Sequence, residues 1–575
     1  MGVVALSLVA SACGGKKADE SGDSGPTLAE KGLTAQDGES GLADAGDPQR
    51  GGTLIYGVEA DTDSYCLSEG QLAISGMMVV RAFYDTLVVP NAEGDYVPYL
   101  AKSIDHNDAY DEWTLTLRDG VKFHDGSDLT AEVVKNNLDA YRGTYEGRAS
   151  LLFGFTLSNI DSVEATGPME VTVKTKVPWV AFPAYLYSSS RMGIMAQAQL
   201  DSGENCNKDI IGTGPFKLVS WTQNAKMVGE RNPDYWQTAP DGEPYPYADG
   251  IEFRPIPDGQ ARNQAIEAGD INIMHTSNAA DIADKFWKMR EAGDVNMFVS
   301  EEYAELAFLQ LNHTIAPFDD VRMRKAMAYA ADREQINQII GDGLPTIANG
   351  PISPGTAGFT EDTGYPEYDQ AEAKKLIDEY VAEGGDPSFT LSATTDPTVQ
   401  RLAQMVQSRA KAVGVTVKIR NRDQAALIND AIGKNFQAMT FRNFPGGDAD
   451  SLYVWFHSGG VGDDGNATNP VNFAGIADEE VDKALDEGRS ETDPEKRKAI
   501  YEGLNERMGS QVHGLWTWFT PWAIVESSNV HGILGPPLPG DDPSQPGEVS
   551  TDDAARQPSL GLATGHSLIG LWIDQ

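Results

Sequence analysis

The pattern of apolar residues along the chain constrains its fold more than any other feature, because its rhythm changes once, near residue 320. Before that point apolar and polar residues alternate in short runs. The run Gly51-Gly52-Thr53-Leu54-Ile55-Tyr56-Gly57-Val58 opens the folded part as a strand. Trp113-Thr114-Leu115-Thr116-Leu117 alternates strictly, breaks at Asp119-Gly120, resumes as Val121-Lys122-Phe123 and breaks again at Asp125-Gly126. Asp-Gly between alternating runs supplies the positive φ angles of a tight turn, so this stretch predicts a hairpin. Ser162 to Val177 predicts a second hairpin around Gly167-Pro168, and Asp128 or Thr130 is placed to cap a helix reaching about Tyr141. This first part reads as a β-rich layer with few helices.

Past about Asp320 the period becomes helical. Asp320 and Asp332 stand as caps ahead of two helices, the second ending at Gly341, and Asp369-Gln370-Ala371-Glu372 is an acidic capping box closed by Gly384-Gly385. A strand (Phe389 to Thr394) comes next, then a helix with apolar positions Val399, Leu402, Val406, Ala410 and Val413, and a strand (Val415 to Ile419). A helix near Gln424 to Ile432 and a strand (Phe436 to Phe441) complete the alternation. Strand and helix in alternation predict an α/β lobe with a covered sheet. The chain therefore holds at least two lobes of different texture, and 575 residues with 40% apolar composition are enough for several cores. No internal repeat is visible.

Charge narrows the partners. Lys plus Arg is 44 and Asp plus Glu is 86, a formal net charge of −42. Such a surface repels phosphate backbones, which excludes nucleic acid as a partner. No run approaches the 18 or so apolar residues of a membrane-spanning helix. The first residues are different in kind: an apolar run from Val3 to Ala12 ends in small residues before Cys13, with Gly14-Gly15 behind it. This reads as residues 1–13 of a lipoprotein signal with Cys13 as the lipidated residue. No Lys or Arg precedes the run, which points to a start further upstream. The alternative, a short buried strand, has no core-forming neighbour, since residues 14–50 carry eight acidic and four basic side chains and only Leu28, Leu33 and Leu42 as large apolar ones. That segment is expected to be a disordered linker, reaching roughly 30–37 Å as a flexible coil.

Catalytic signatures are missing. There is no Gly-x-Ser-x-Gly elbow, no His-Glu-x-x-His, no Walker loop and no Rossmann glycine pattern. The eight His are scattered singly, and acidic pairs such as Asp448 with Asp450 are expected by chance among 86 acids. No cofactor or metal is implied. If Cys13 carries lipid, Cys66 and Cys206 remain as an even pair, which permits a disulfide in an exported protein and leaves two buried thiols as the alternative.

Several stretches together resemble the extracytoplasmic solute-binding proteins of ABC importers, family 5, which includes oligopeptide-, dipeptide- and nickel-binding proteins. They are Tyr99-Leu100-Ala101-Lys102-Ser103, then Trp113 to Phe123 with His124-Asp125-Gly126 and Leu129-Thr130-Ala131. Gly212-Thr213-Gly214-Pro215-Phe216, Arg231-Asn232-Pro233-Asp234-Tyr235-Trp236, Leu311-Asn312 and Pro317-Phe318-Asp319-Asp320-Val321-Arg322 follow, with Tyr365-Pro366, Asp369 and Ala373 after them. The set occurs in the family's order over about residues 51–535. The resemblance implies an α/β fold of two lobes, like periplasmic binding proteins of class II type, with an extra β-rich subdomain in lobe I. Mapped here, lobe I is 51–84, 201–308 and 518–575, the subdomain 85–200 and lobe II 309–517. The Trp-rich run Leu515 to Phe519 is the expected return crossing.

Peptide binders of this family carry Trp-x-x-Asp-x-x-Asp-Pro in lobe II, the first Asp meeting the peptide amine. Here the stretch is Phe441-Arg442-Asn443-Phe444-Pro445-Gly446-Gly447-Asp448-Ala449-Asp450, and Pro445 aligns with that Asp. Arg442 places a cation near the expected cleft, suited to a carboxylate or phosphate on the solute or to an ion pair with Asp448 or Asp450. Asp448, Asp450, Trp455, Glu59, Asp61 and Trp179 are the further ligand candidates, with a simple core role the alternative for Trp455. The resemblance implies a monomeric, lipid-anchored receptor on the outer face of the membrane. It captures a peptide or other amphipathic small molecule, does no chemistry, and delivers its solute to a permease driven by a partner ATPase. Two other readings are a secreted cell-surface hydrolase, against which the missing nucleophile and metal motifs count, and a sensor whose closed form docks to a membrane receptor.

Overall fold

The computed structural model describes residues 46–574 apart from 71, 444–445, 463–465, 541–555, 560 and 562–565. Cys13, most of the linker and Pro445 therefore lie outside the described residues. A ten-stranded sheet runs through the molecule in the order Val417–Arg422, Phe389–Thr394, Ala438–Asn443, Val295–Leu311, Gly514–Ser527, Ile273–Thr276, Thr53–Val58, Gly250–Pro255, Lys226–Arg231, Phe216–Thr222. Its fourth and fifth strands, of 17 and 14 residues, are the longest among the described residues. They pair antiparallel along their length, with a break in register between Ser300 and Glu305. One end of the two long strands packs in a core with Ile266, Ile271 and Met274, and the other in a core with the helices that follow residue 320, so both strands are shared by two cores. The boundaries drawn at 308/309 and 517/518 from sequence fall inside these two shared strands.

In lobe II the local signals are realised in detail. The carboxylates of Asp320, Asp332 and Asp369 each accept a backbone N–H at the start of the helices Val321–Ala330, Arg333–Gly341 and Gln370–Ala382. These helices, with Pro397–Ala412, bury an apolar face that includes Met323, Met327, Ile377, Leu402 and Val406. Asp423 caps Gln424–Ile432 in the same manner.

The subdomain is a four-stranded sheet in the order Ala101–His106, Glu112–Leu117, Glu170–Thr175, Ile160–Gly167, and its core is continuous with that of lobe I. The hairpin around Gly167-Pro168 forms, and Thr130 caps the helix Ala131–Tyr141. The hairpin around Asp119-Gly120 does not. Glu112–Leu117 is an inner strand, paired on one side with Ala101–His106 and on the other with Glu170–Thr175. With both edges taken, Val121-Lys122-Phe123 turns back on itself instead, Lys122 bridging Asp128 around Asp125-Gly126. Alternation announced the strand but not its partners.

Two of the motifs act at one joint. A Cβ on Gly212 would lie 2.1 Å from the Phe83 carbonyl oxygen, and one on Gly214 would lie 2.4 Å from the Phe83 carbonyl carbon. Only glycine lets this loop close on the end of the helix Ile74–Phe83. Beside it, buried Asp85 accepts hydrogen bonds from Thr213 (2.9 Å), Trp236 (2.9 Å) and Tyr235 (3.2 Å). A disulfide joins Cys66 to Cys206, closing a loop with a sequence separation of 140.

Candidate functional site

At the junction of the lobes, side chains from five strands or their ends converge on one face of the sheet. Arg442 projects from Ala438–Asn443, in register with Ala307 on the neighbouring long strand. Two residues earlier that strand carries Glu305, directly opposite Thr520 on the other long strand. Arg442 Nη1 is 3.2 Å from Glu305 Oε2 and donates to Ser277 Oγ at 3.2 Å, while Nη2 is 3.6 Å from Glu59 Oε2. The guanidinium sits 5.8 Å above the ring of Trp522. Glu59 follows the strand Thr53–Val58 and also meets Arg262, 3.4 Å away. Its backbone N–H donates to His275 Nε2 at 3.0 Å. The imidazole therefore carries any proton on Nδ1, and burial holds His275 down at about 4, so it is neutral at physiological pH.

The two carboxyls flanking Arg442 differ in charge state. Burial works to raise Glu59, but Arg442 and Arg262 outweigh it and hold the group below its ordinary range. Burial raises Glu305 to about 7, with Arg442 opposing and Glu59 adding to the rise. Arg442 has 39% of its side chain exposed against 3% for Glu305, so the cation is the member of the cluster that faces outward.

A second cluster lies where the subdomain meets lobe II. Asp450, with no exposed side-chain surface, is bound by Arg489 through Nε (3.1 Å) and Nη2 (3.0 Å). Trp179 Nε1 donates to the same carboxylate at 2.8 Å, and the Tyr185 hydroxyl donates to the Asp450 carbonyl at 2.7 Å. Asp448 is held by Arg497 at 2.6 and 2.9 Å and caps the turn Ala449–Ser451. Burial raises Asp448, and Arg497 more than reverses it.

Of the sequence candidates, the structure thus brings Arg442 and Glu59 together in one cluster, and Trp179 and Asp450 together in another. Arg442 pairs with neither Asp448 nor Asp450, because each of these has its own arginine. Asp61 accepts from Trp221 Nε1 (3.1 Å) and the Asn224 N–H (2.7 Å), tying down the turn between the edge strand Phe216–Thr222 and its neighbour Lys226–Arg231. Trp455 packs edge-on against Phe473 between the cores of the two lobes. Sequence reasoning missed Glu305, Ser277, Trp522, Arg262 and Arg489. Glu305 alone left a trace, as the one charge in Ala304-Glu305-Leu306-Ala307-Phe308-Leu309. Among the described residues there is no group of His, Cys, Asp and Glu able to hold a metal ion, and no helix long and apolar enough to cross a membrane.

Two long strands thus run through both halves of the main sheet, and a half-exposed cation stands beside them. The family model for bacterial extracellular solute-binding proteins, family 5, matches residues 95–464, and the chain belongs to that family. Among curated relatives, the oligopeptide-binding protein AppA of Bacillus subtilis is 27% identical over 563 residues, covering 92% of this chain and 94% of AppA. The glutathione-binding protein GsiB of Pectobacterium atrosepticum is 26% identical over 463 residues, covering 79% and 84%. Among solved structures, DppA of Helicobacter pylori with the peptide STSA superposes with a TM-score of 0.76 at 20% identity, covering 92% of this chain and 99% of DppA. AgaA of A. tumefaciens R10 with agropinic acid gives 0.76 at 24% identity, covering 91% and 99%. The fold is the two-lobe periplasmic-binding-protein type expected from the motifs. The chain is an extracytoplasmic substrate-binding protein that works with an ABC importer, and not an enzyme.

Proposed function

We propose that this protein is a lipid-anchored receptor, tethered through Cys13 and the segment 14–50, that closes its lobes on a carboxylate-bearing peptide or similar small organic solute, with Arg442 as the anchor. The observation that carries the reading is the position of Arg442: a half-exposed cation on a lobe II strand that reaches Glu59 and Ser277 of lobe I. The relatives named for oligopeptides, glutathione and agropinic acid all take solutes with carboxylates, which is the chemistry a guanidinium recognises bidentately. Glu305 supplies a way to admit the anion. Its carboxyl, raised to about 7, takes up a proton as the solute carboxylate replaces it beside Arg442, so the cluster accepts a new charge without repulsion.

Native mass spectrometry of the protein as purified, followed by thermal-shift screening of peptides, opines and sugars, identifies the solute. Arg442→Ala then weakens its binding about ten- to a hundredfold, the worth of a charged hydrogen bond of about 1.5–3 kcal/mol, and the solute-free protein also melts earlier because buried Glu59 loses a cation that holds it charged. Normal binding together with earlier melting would make Arg442 a structural ion-pair partner and end the proposal. The anchor is tested separately: a palmitate analogue fed to cells labels the parent and not Cys13→Ser, and equal labelling of the two removes it.

A further inference from the structure

The contact between subdomain and lobe II shares no residue with the Arg442 cluster and is closed by its own ion pair. From lobe II it presents the fully buried pair Asp450–Arg489, supported from below by the Tyr501 hydroxyl at 3.5 Å. From the subdomain, Trp179 and Tyr185 each donate a hydrogen bond to Asp450, and the Val180 N–H donates to the Arg489 carbonyl at 3.0 Å. The Arg489 guanidinium is sandwiched, with Tyr453 of lobe II 3.4 Å from it on ring-centroid distance and Trp179 of the subdomain at 4.7 Å. Phe155 extends the contact by stacking on Tyr453 and approaching His457, both at 5.9 Å. A Cβ on Gly459 would come within 2.9 Å of the Phe155 ring, so the surfaces meet without slack.

The two halves of this contact differ in what they lose when the lobes separate. Asp450 and Arg489 stay together on lobe II, with Tyr501 and Tyr453. Trp179, which has no exposed surface in this structure, loses the acceptor of its indole N–H and the cation against its ring. Water can replace the hydrogen bond but not the dry, charge-assisted geometry in which it is strongest.

We propose that Trp179 is a positioning residue for the closed state: by donating to Asp450 and covering Arg489 it latches the subdomain onto lobe II, so that the closed form persists without a solute and a bound solute leaves slowly. This rests on the reading that the two lobes open and close.

The test uses the full chain with Cys13→Ser, so that no other free thiol takes up a label, freed of solute by refolding from guanidinium chloride in oxidising buffer. Spin labels are placed by Val177→Cys in the subdomain, where Val177 is 51% exposed, and Lys483→Cys on lobe II, where the lysine side chain is 71% exposed. Trp179→Phe keeps a ring and removes the donor. Trp113→Phe, in the same subdomain core and packed on the same Phe182, controls for the loss of indole volume. The expected result is one short distance in the parent and in Trp113→Phe, and in Trp179→Phe a second, longer distance, with the open-to-closed ratio raised roughly ten- to a hundredfold. Tyr185→Phe, which spares the carboxylate contact, shifts the ratio in the same direction and less. A parent already open without solute, or a Trp179→Phe distribution identical to that of Trp113→Phe, overturns the latch. A single fixed distance in every variant, with and without solute, overturns instead the reading that the lobes move.

Discussion

Replacing Glu526 with methionine should stabilise the protein, and by an amount that grows with pH. Glu526 lies on the long strand Gly514–Ser527, facing Ile273 and Asn296 on the strands to either side. It has no exposed surface, and among the described residues neither carboxyl oxygen has a hydrogen-bond partner. Burial pushes the group well above the ordinary carboxylate range, so the folded protein holds a proton there that the unfolded chain releases above about pH 4.5. The native state then binds more protons than the unfolded one, and stability falls as pH rises, by up to about 1.4 kcal/mol per pH unit until the native group itself ionises. Methionine has nearly the same length, no polar atom and an adaptable shape. Removing an unsatisfied buried polar group is worth about 1–3 kcal/mol before the proton is considered. Calorimetry at pH 5, 6, 7 and 8 measures the difference, which at roughly 2 °C per kcal/mol for a unit of this size is a rise of a few degrees. Comparing parent with variant at each pH cancels Glu301 and Glu305, which also lie near 7. A Glu526→Met protein that melts below the parent, or an advantage that stays constant from pH 5 to 8, would refute the reasoning and mean that the carboxylate is charged and compensated.

Three further outcomes are expected. Gly214→Ala, which puts a methyl group against the Phe83 backbone, should cost several kcal/mol and show as loss of soluble folded protein, whereas Gly242→Ala, with open space at its Cβ, should leave folding intact apart from the strain of its positive φ. Replacing Cys66 and Cys206 with serine frees a loop with a sequence separation of 140 and should lower stability by about 5 kcal/mol on the chain-entropy estimate, seen as an earlier denaturation midpoint under oxidising conditions. An infrared titration should show two carboxyl groups with midpoints near pH 7, of which one disappears in Glu305→Gln while the Glu301 band remains.

The parts of the fold that were legible in the sequence are those settled by neighbours a few residues apart. Asp369 caps its helix because Ala371 and Glu372 present N–H groups to it, and that information lies within four residues. Strand pairing is different. Nothing in Trp113-Thr114-Leu115-Thr116-Leu117 states that its partners are Ala101–His106 and Glu170–Thr175 and not the next apolar run. The candidate site shows the same division. Arg442 stood out as a cation in an aligned stretch, but its partners Glu59 and Glu305 are brought to it by the order of strands in the sheet. Asp450 read as a ligand group because an acid in that stretch has a known role in peptide binders. Its enclosure by Arg489 and Trp179 depends on a contact between two parts of the chain that no local pattern connects.

The two long strands also set the order in which the chain can fold. Thr53–Val58, near the start, lies between Gly250–Pro255 and Ile273–Thr276, and the latter is flanked by Gly514–Ser527. Lobe II has the same dependence, since Leu306–Leu311 faces residues 514–519 of that late strand on one side and Ala438–Asn443 on the other. Neither lobe has a complete sheet until residue 527 has been synthesised. A chain whose central strand arrives in its last tenth gains little from folding as it is made, because the long-range pairings that reward ordering are not yet available. The ten-stranded sheet is therefore completed only after the last long strand has been made, and a chain whose main sheet closes so late can still be threaded across a membrane before it folds on the far side.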